Sequence, residues 1–349
     1  MKILLVLNSR IPTPNYDDAE RVLWWQARQL HEMGHEPVLL VKQDSVCGFA
    51  PVLAIDEKTA FAAQVPEDVD VVHFFYRPAA GVLAELSKPY LITNFDNSTK
   101  ADTFDPNTVF LSANHAARHE AEVYVYPGVD FRDYGNVLLD FPRNYFHFLG
   151  DAAWRGRNVR GAIDLASRAG TRLHVIGGSR INFRKGLRIS LSPSARFHGV
   201  LHSDGRNMML NGSRGLLFPV LWHEPFGLPV IESLYFGCPV FGTPFGALPE
   251  LLCRKVNNGG RKWTGHVDAC FSEFGCLSVK RSELLEAIRH AQGFSPERCT
   301  EYATDCFSAA RMARDYVHLY EKVLNGAALH SYAPALREAP GNKLLSMEA

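Results

Sequence analysis

The sequence predicts an α/β protein built from two parallel-sheet domains in tandem. Three observations carry that reading. Short β-rich runs alternate with helical patterns along the chain, as they do where helices cover parallel strands. The chain has 349 residues, long for one core and natural for two. The alternation lapses between Asp130 and Asn144, where turn residues stand without a periodic run, and then restarts. The expected divisions are residues 1–141, residues 142–308, a closing helix over 309–326 and a loosely held tail over 327–349.

The elements follow in order. Ile3–Leu7 is an apolar run and the first buried strand. Asp18 can cap a helix whose apolar positions Ala19, Val22, Leu23, Ala27, Leu30 and Met33 recur at helical spacing, with Gly34 ending it. Further strands are expected at Pro37–Val41, Val69–Phe75, Tyr90–Phe95 and Val109–Ala113. The second domain restarts with Tyr145–Leu149, a helix from about Asn158 to Ala169, and Leu173–Ile176 running into Gly177-Gly178. Strands at Leu216–Pro219 and Val240–Gly242 follow, then helices near Arg281–Ala291 and Ala309–Leu324, the last long and amphipathic.

Composition excludes several classes. Hydrophobic residues make up 46% and charged residues 21%, which suits a folded core and excludes wholesale disorder. Lys plus Arg and Asp plus Glu number 37 each, so no global field draws the chain to nucleic acid or lipid. Any phosphate site must therefore be local. The first apolar run is too short for a signal peptide, and no stretch approaches the ~18 apolar residues of a membrane span. Seven cysteines, odd in number and scattered, argue for a reducing cytoplasm. His266, Cys270 and Cys276 lie close together but fit no common zinc spacing, so no metal site is expected.

The most informative stretch is Pro219-Val220-Leu221-Trp222-His223-Glu224-Pro225-Phe226-Gly227-Leu228-Pro229-Val230-Ile231-Glu232. An apolar strand ends in a polar loop, a carboxylate follows, and a Phe-Gly-Leu-Pro turn can open a helix. Pro229 suits a first helical turn, where its missing N–H costs nothing. Gly227 and Leu228 then offer backbone N–H groups at a helix N-terminus, an anion site. Glu232 follows Glu224 by eight positions and stands roughly 7 Å beyond Gly227 along the helix axis. Two acceptor carboxylates flanking an amide-lined pocket suit a ligand with hydroxyls at both ends and phosphate between them. A nucleotide-diphospho-sugar has that form.

This arrangement resembles the Glu-x₇-Glu motif of the retaining glycosyltransferases of family four (glycosyl transferases group 1). The likeness extends through Ser233-Leu234-Tyr235-Phe236-Gly237-Cys238-Pro239-Val240 to Gly246-Ala247-Leu248-Pro249-Glu250. The resemblance implies the GT-B architecture, two Rossmann-like domains facing across a cleft, with the C-terminal helix returning to the first. It also implies site roles. Glu224 would hold the sugar hydroxyls and Glu232 the ribose diol. The Gly227 and Leu228 amides, with Arg155 and Arg157 after His147-Phe148-Leu149-Gly150, would hold the diphosphate. Phe197-His198-Gly199-Val200 looks like a Phe-x-Gly-x element whose backbone, at Gly199 and Val200, reads the base. Phe226, His223 and, in the first domain, Asn97 complete the expected substrate contacts; Trp222 or His223 could pack on the sugar. Gly177-Gly178 could bring backbone close to a ligand, and Arg180, Arg184, Lys185 and Arg188 form a basic cluster read as a solvated face.

The chain departs from the family pattern at donor-facing places. Asp17 and Asp18 replace the glycines of a Gly-Gly-x-Glu-Arg loop before Glu20-Arg21. Phe95 in Thr93-Asn94-Phe95-Asp96-Asn97 stands where a sugar-contacting His is usual, Pro127 where an Asn is usual, and Asp151 where an Arg is usual. Residues 253–272 look like an insertion. The expected function is transfer of a sugar from a nucleotide-diphospho-sugar to a hydroxyl of a glycan or lipid-linked acceptor, in surface polysaccharide or lipopolysaccharide synthesis. No cofactor or metal and no nucleic-acid partner is expected. A cytoplasmic protein, with peripheral contact at the inner face of the membrane, is expected. The alternative is a degenerate, catalytically weak member that binds nucleotide sugar or serves as a scaffold, favoured by Asp17, Asp18, Phe95 and Asp151.

Overall fold

The structure, a computed structural model, describes all residues except 13–17, 98–100, 183–187, 190–191, 254–267, 337–343 and 349; of 182, 188 and 189 it describes the backbone. The chain forms two compact units, Met1–Asp130 with Phe307–Gly341, and Phe131–Cys306 with Asn342–Ala349.

The first unit carries a six-stranded parallel sheet of β1 (Lys2–Leu7), β2 (Glu36–Val41), β3 (Val52–Ala54), β4 (Val71–Phe74), β5 (Tyr90–Thr93) and β7 (Thr108–Val109). The two-residue β6 (Asp102–Thr103) stands apart from it. The order is β3-β2-β1-β4-β5-β7, the doubly wound arrangement in which the chain builds outward from β1 on both sides. Alternate residues of the strands, among them Leu4, Val6, Val38, Leu40, Val72 and Phe74, form one core face. Helix α1 (Asp18–Glu32) buries Val22, Leu23, Ala27 and Leu30 as its spacing predicts. Gly34 closes it at φ +83, with the N–H of His35 donating to Leu30 C=O at 2.9 Å and that of Gly34 to His31 C=O at 3.0 Å.

Three expectations need correction here. Asp18 lies inside the first helical turn, where it pairs with Arg21 at 2.9 Å, and is not the cap. Met33 lies beyond the helix end and is exposed, while Gln26 is buried because it donates to Tyr320. The strand expected over Val109–Ala113 stops at Val109. Ser112 then accepts from the His115 N–H at 3.0 Å and caps α3 (Ala113–Arg118). The short α2 (Ala80–Ala84) completes this part of the unit.

Two later segments belong to the first unit. Helix α10 (Ala309–Leu324) packs along α1 and is fixed by a buried polar chain. His73 Nδ1 meets Tyr320 OH at 2.8 Å, His73 Nε2 meets Thr93 Oγ1 at 2.7 Å, and Thr93 meets Tyr316 OH at 2.7 Å. Gly128 admits the N-terminus of α10, since a Cβ there would come within 2.4 Å of Ser308 O. After α10 the described residues His330, Ala335 and Leu336 are tied to the same unit. Strand β17 (Ala335–Leu336) pairs antiparallel with β6, and His330 Nε2 meets Thr108 O at 2.9 Å.

The second unit repeats the winding. Its strands are β8 (Tyr145–Leu149), β9 (Leu173–Ile176), β12 (Ala195–Phe197), β13 (Ser213–Phe218), β14 (Val240–Gly242), β15 (Ala269–Ser272) and β16 (Gly275–Ser278), with a β10–β11 ribbon (Ile181–Asn182, Arg188–Ile189) beside them. The order is β12-β9-β8-β13-β14-β16-β15, parallel except for β15 at the edge. The helices are α4 (Val159–Arg168), α5 (Ser203–Asn211), α6 (Leu228–Tyr235), α7 (Leu248–Leu252), α8 (Arg281–Arg289) and α9 (Pro296–Cys306). Sequence periodicity missed α9, whose buried stripe of Cys299, Ala303 and Cys306 is small and weakly apolar.

The unit begins at Phe131, not at residue 142, because Phe131 stacks on Tyr235 at 4.5 Å and Tyr134 packs on Tyr235 and Phe236. Cys253 and Cys270 form a disulfide, their Cα atoms 6.2 Å apart, so the cysteines are not uniformly thiols; five are free. Cys276 is buried, its thiol pushed up to about 12 by desolvation. Residues 254–267 of the presumed insertion, His266 included, lie outside the described residues, as do Asp17, Arg184 and Lys185. Among the described residues no cluster of three metal-ligating side chains occurs, and no helix is long and apolar enough to cross a membrane.

Candidate active site

In the second unit the chain leaves β8 for β9 and β12 on one side, then returns through α5 to β13 on the other. The switch point therefore lies between β8 and β13. Doubly wound sheets bind ligands outside the carboxyl ends of their strands at that place. The turn after β8 and the turn after β13 meet there.

The two turns are stitched together. Leu221 N–H donates to Gly156 C=O at 2.8 Å, and Asn158 Nδ2 donates to Pro219 C=O at 2.8 Å. Asn158 adopts φ +53 and caps α4, its Oδ1 accepting from Gly161 N–H at 3.0 Å. Across this seam Arg157 Nη1 forms an ion pair with Glu224 Oε2. Glu224 is 3% exposed. The guanidinium carbon lies 5.3, 5.5 and 5.7 Å from the ring centres of Phe218, Trp222 and Trp154, so aromatic faces enclose the cation. Trp154 and Trp222 meet edge to face at 4.4 Å.

The backbone of Glu224 is fixed as firmly as its side chain. Its C=O accepts from Ala247 N–H at 2.8 Å. Gly246, at φ +71, lies so close that a Cβ would fall 2.2 Å from Glu224 N and O. Gly227, at φ +104, turns the chain into α6 with Pro229 in the first turn, as the sequence predicts. The N–H groups of Gly227 and Leu228 donate to no acceptor among the described residues. Phe226 and Leu228 are buried and pack inward.

Helix α6 is tied to the sheet by His147, fully buried on β8. Its Nδ1 meets Ser213 Oγ at 2.7 Å and its Nε2 meets Ser233 Oγ at 2.8 Å. Burial lowers its pKa to about 3, so the ring is neutral. One turn into α6, Glu232 is 1% exposed. Its Oε1 accepts from Tyr134 OH at 2.6 Å and from Arg206 Nη1 at 3.0 Å. Sequence reasoning missed Arg206 and Tyr134. They lie 26 and 98 residues from Glu232, with no spacing to betray them.

The other expected residues are dispersed. Arg155 is exposed and makes no ion pair among the described residues. Asp151 is exposed and accepts from Ala153 N–H at 2.8 Å, ordering the turn after β8. His223 is half-buried near Phe245, ring centres 6.5 Å apart. Gly199, at φ +69, exchanges hydrogen bonds with Gly177 and Gly178, and Val200 is exposed. Gly177 and Gly178 serve packing, since Cβ atoms there would fall 2.3 Å from Gly150 O and 2.5 Å from Ala152 Cβ. Arg180 donates to Ala195 C=O. Asn97 belongs to the first unit, in the loop after β5, and Phe95 in the same loop stacks on Phe75 at 6.2 Å.

Two doubly wound units give the chain the GT-B fold, and the Arg157–Glu224 pair and the Gly227 and Leu228 amides stand at the switch point of the second. Residues 156–266, about a third of the chain, match the family model described as Glycosyl transferases group 1. Among similar solved structures is AviGT4, a glycosyltransferase involved in avilamycin A biosynthesis, at 20% identity and TM-score 0.68 over 93% of this chain and 98% of that one. Sucrose-phosphate synthase from Thermosynechococcus elongatus follows at 12% identity and TM-score 0.66, over 93% and 100%. Anabaena HepE, solved with UDP and glucose, aligns at 16% identity and TM-score 0.62, over 92% and 100%. No curated protein sequence matches this chain significantly.

Proposed function

We propose that the second unit binds a nucleotide-diphospho-sugar and that the protein passes the sugar to a hydroxyl of a glycan or lipid-linked acceptor, with retention at the anomeric carbon. The observation that carries the reading is the union of the Arg157–Glu224 pair with the two unengaged amides of Gly227 and Leu228. The amides and Arg157 present positive charge where a leaving diphosphate gains negative charge, and such fixed donors lower the barrier to departure. Exposed Arg155 reaches the same diphosphate from the turn after β8. Glu224 accepts sugar hydroxyls, Glu232 the ribose diol, and the backbone at Gly199 and Val200 the base. The leaving phosphate takes the proton of the attacking hydroxyl on the same face. The similarity to HepE, solved with UDP and glucose, supports a nucleotide-sugar donor.

The test is a thermal-shift series with UDP, GDP, ADP and TDP, followed by a transfer assay with the sugar derivatives of the one that binds. A nucleotide at a hundred times its Kd stabilises by about 2.7 kcal/mol. No shift with any of the four would remove the donor site from the second unit. A second reading, weak catalysis with nucleotide binding kept, is favoured because Glu224 and Glu232 are each already paired with an arginine. An Asp17→Gly, Asp18→Gly, Phe95→His variant separates the two. A hundredfold gain in transfer supports the weakened enzyme, and no gain over a wild type already near the ~10 s⁻¹ enzyme median sinks it.

A further inference from the structure

Tyr134 lies in the turn that opens the second unit, and its phenol and Arg206 both donate to Oε1 of Glu232, at 2.6 and 3.0 Å. All three side chains are buried. The Arg206 guanidinium carbon sits 4.8 Å from the Tyr134 ring centre, and Tyr235 and Phe236 meet the ring edge to face at 5.8 and 6.2 Å. Packing thus holds the ring independently of its hydroxyl. The two donors differ in kind. Arg206 is a permanent cation paired with the Glu232 carboxylate. Tyr134 contributes a neutral hydroxyl bonded to a carboxylate, which is the bond a ribose hydroxyl would make.

We infer that Tyr134 sets the nucleotide affinity of the Glu232 subsite, its phenol holding the position where a ribose hydroxyl is accepted and yielding it when nucleotide binds. The inference rests on the reading of Glu232 as the ribose residue. Binding then exchanges one hydroxyl–carboxylate bond for another of the same type, and the ribose adds little net affinity. With phenylalanine at 134 the ring packing persists, the position is open, and the ribose bond becomes a gain.

The experiment is calorimetric titration of wild type and Tyr134→Phe with UDP, GDP and ADP, and separately with inorganic pyrophosphate, which has no ribose. Affinity of the variant for the nucleotide that binds wild type is expected to rise about tenfold, equivalent to ~1.4 kcal/mol, with pyrophosphate affinity unchanged. Equal or weaker nucleotide binding by the variant, with pyrophosphate unchanged, overturns the role of Tyr134 and leaves the nucleotide site standing. A rise for pyrophosphate as large as that for nucleotide also overturns it, because the effect would not then pass through the ribose. Wild type and variant that both bind pyrophosphate and no nucleotide overturn the ribose reading and the inference with it. Tyr134→Met, which also lacks the hydroxyl, supplies the same comparison if the phenylalanine variant does not fold.

Discussion

Arg157 and Glu224, 67 residues apart in sequence, form an ion pair at the carboxyl ends of two neighbouring parallel strands. The pair seals the seam between the turns after β8 and β13 while presenting both charges at the switch point. Each partner has a structural task in that seam and, under the proposed function, a chemical one, and substitutions can separate them.

Glu224→Ala leaves the Arg157 cation enclosed by aromatic rings without its carboxylate. Removing one member of a buried pair typically costs ~3–5 kcal/mol, and a loss near the lower end is expected in urea unfolding, since Arg157 retains some exposure. Glu224→Gln keeps the shape and should lose less stability while transfer falls about a hundredfold or more. An alanine variant as stable as wild type would show that the pair contributes nothing to the fold.

Acid should weaken the second unit through His147. Its folded pKa of about 3 lies below the unfolded value near 6.5, so between those limits the unfolded chain binds more protons. The contribution is fully present above pH 6.5 and declines as pH falls toward 3, by about 1.4 kcal/mol per unit for one histidine. Buried His73 and His115 are shifted the same way, also by desolvation. Denaturant unfolding at pH 7.5, 6 and 5 checks this, and His147→Gln should flatten the slope. A stability independent of pH over that range would contradict the buried neutral histidines.

Gly246→Ala should damage the fold more than Gly34→Ala. Both glycines have positive φ, but a Cβ at 34 meets nothing within 4 Å, whereas one at 246 strikes the Glu224 backbone. The strain at Gly34 amounts to about 1–2 kcal/mol. At least twice the loss is expected at Gly246, accompanied by a fall in transfer because Glu224 moves. Equal losses in thermal unfolding would mean that the contact relaxes freely.

Tyr320→Phe removes a hydroxyl without altering volume. His73 Nδ1 then loses its partner in the buried chain that fixes α10. An unsatisfied buried polar group costs about 1–3 kcal/mol, so the first unit should unfold at lower denaturant concentration. An unchanged midpoint would show that α10 is held by packing alone.

Much of this molecule was legible in the sequence because its signals are local. The two strand–helix alternations, the glycine that ends α1 and the proline that opens α6 act within a few residues, where backbone sterics and hydrogen-bond geometry decide. The Glu224–Glu232 spacing likewise depends on one turn and one helical turn. The anchoring of Ala335–Leu336 and of Phe131 was not legible because their partners are distant: β17 on β6, and Phe131 on Tyr235. Tertiary structure alone chose Arg157 for Glu224, Arg206 and Tyr134 for Glu232, and His147 for Ser213 and Ser233. Those partners are set by which strands lie side by side and where burial forces a charge or a polar group to find its complement. No spacing along the chain encodes that choice.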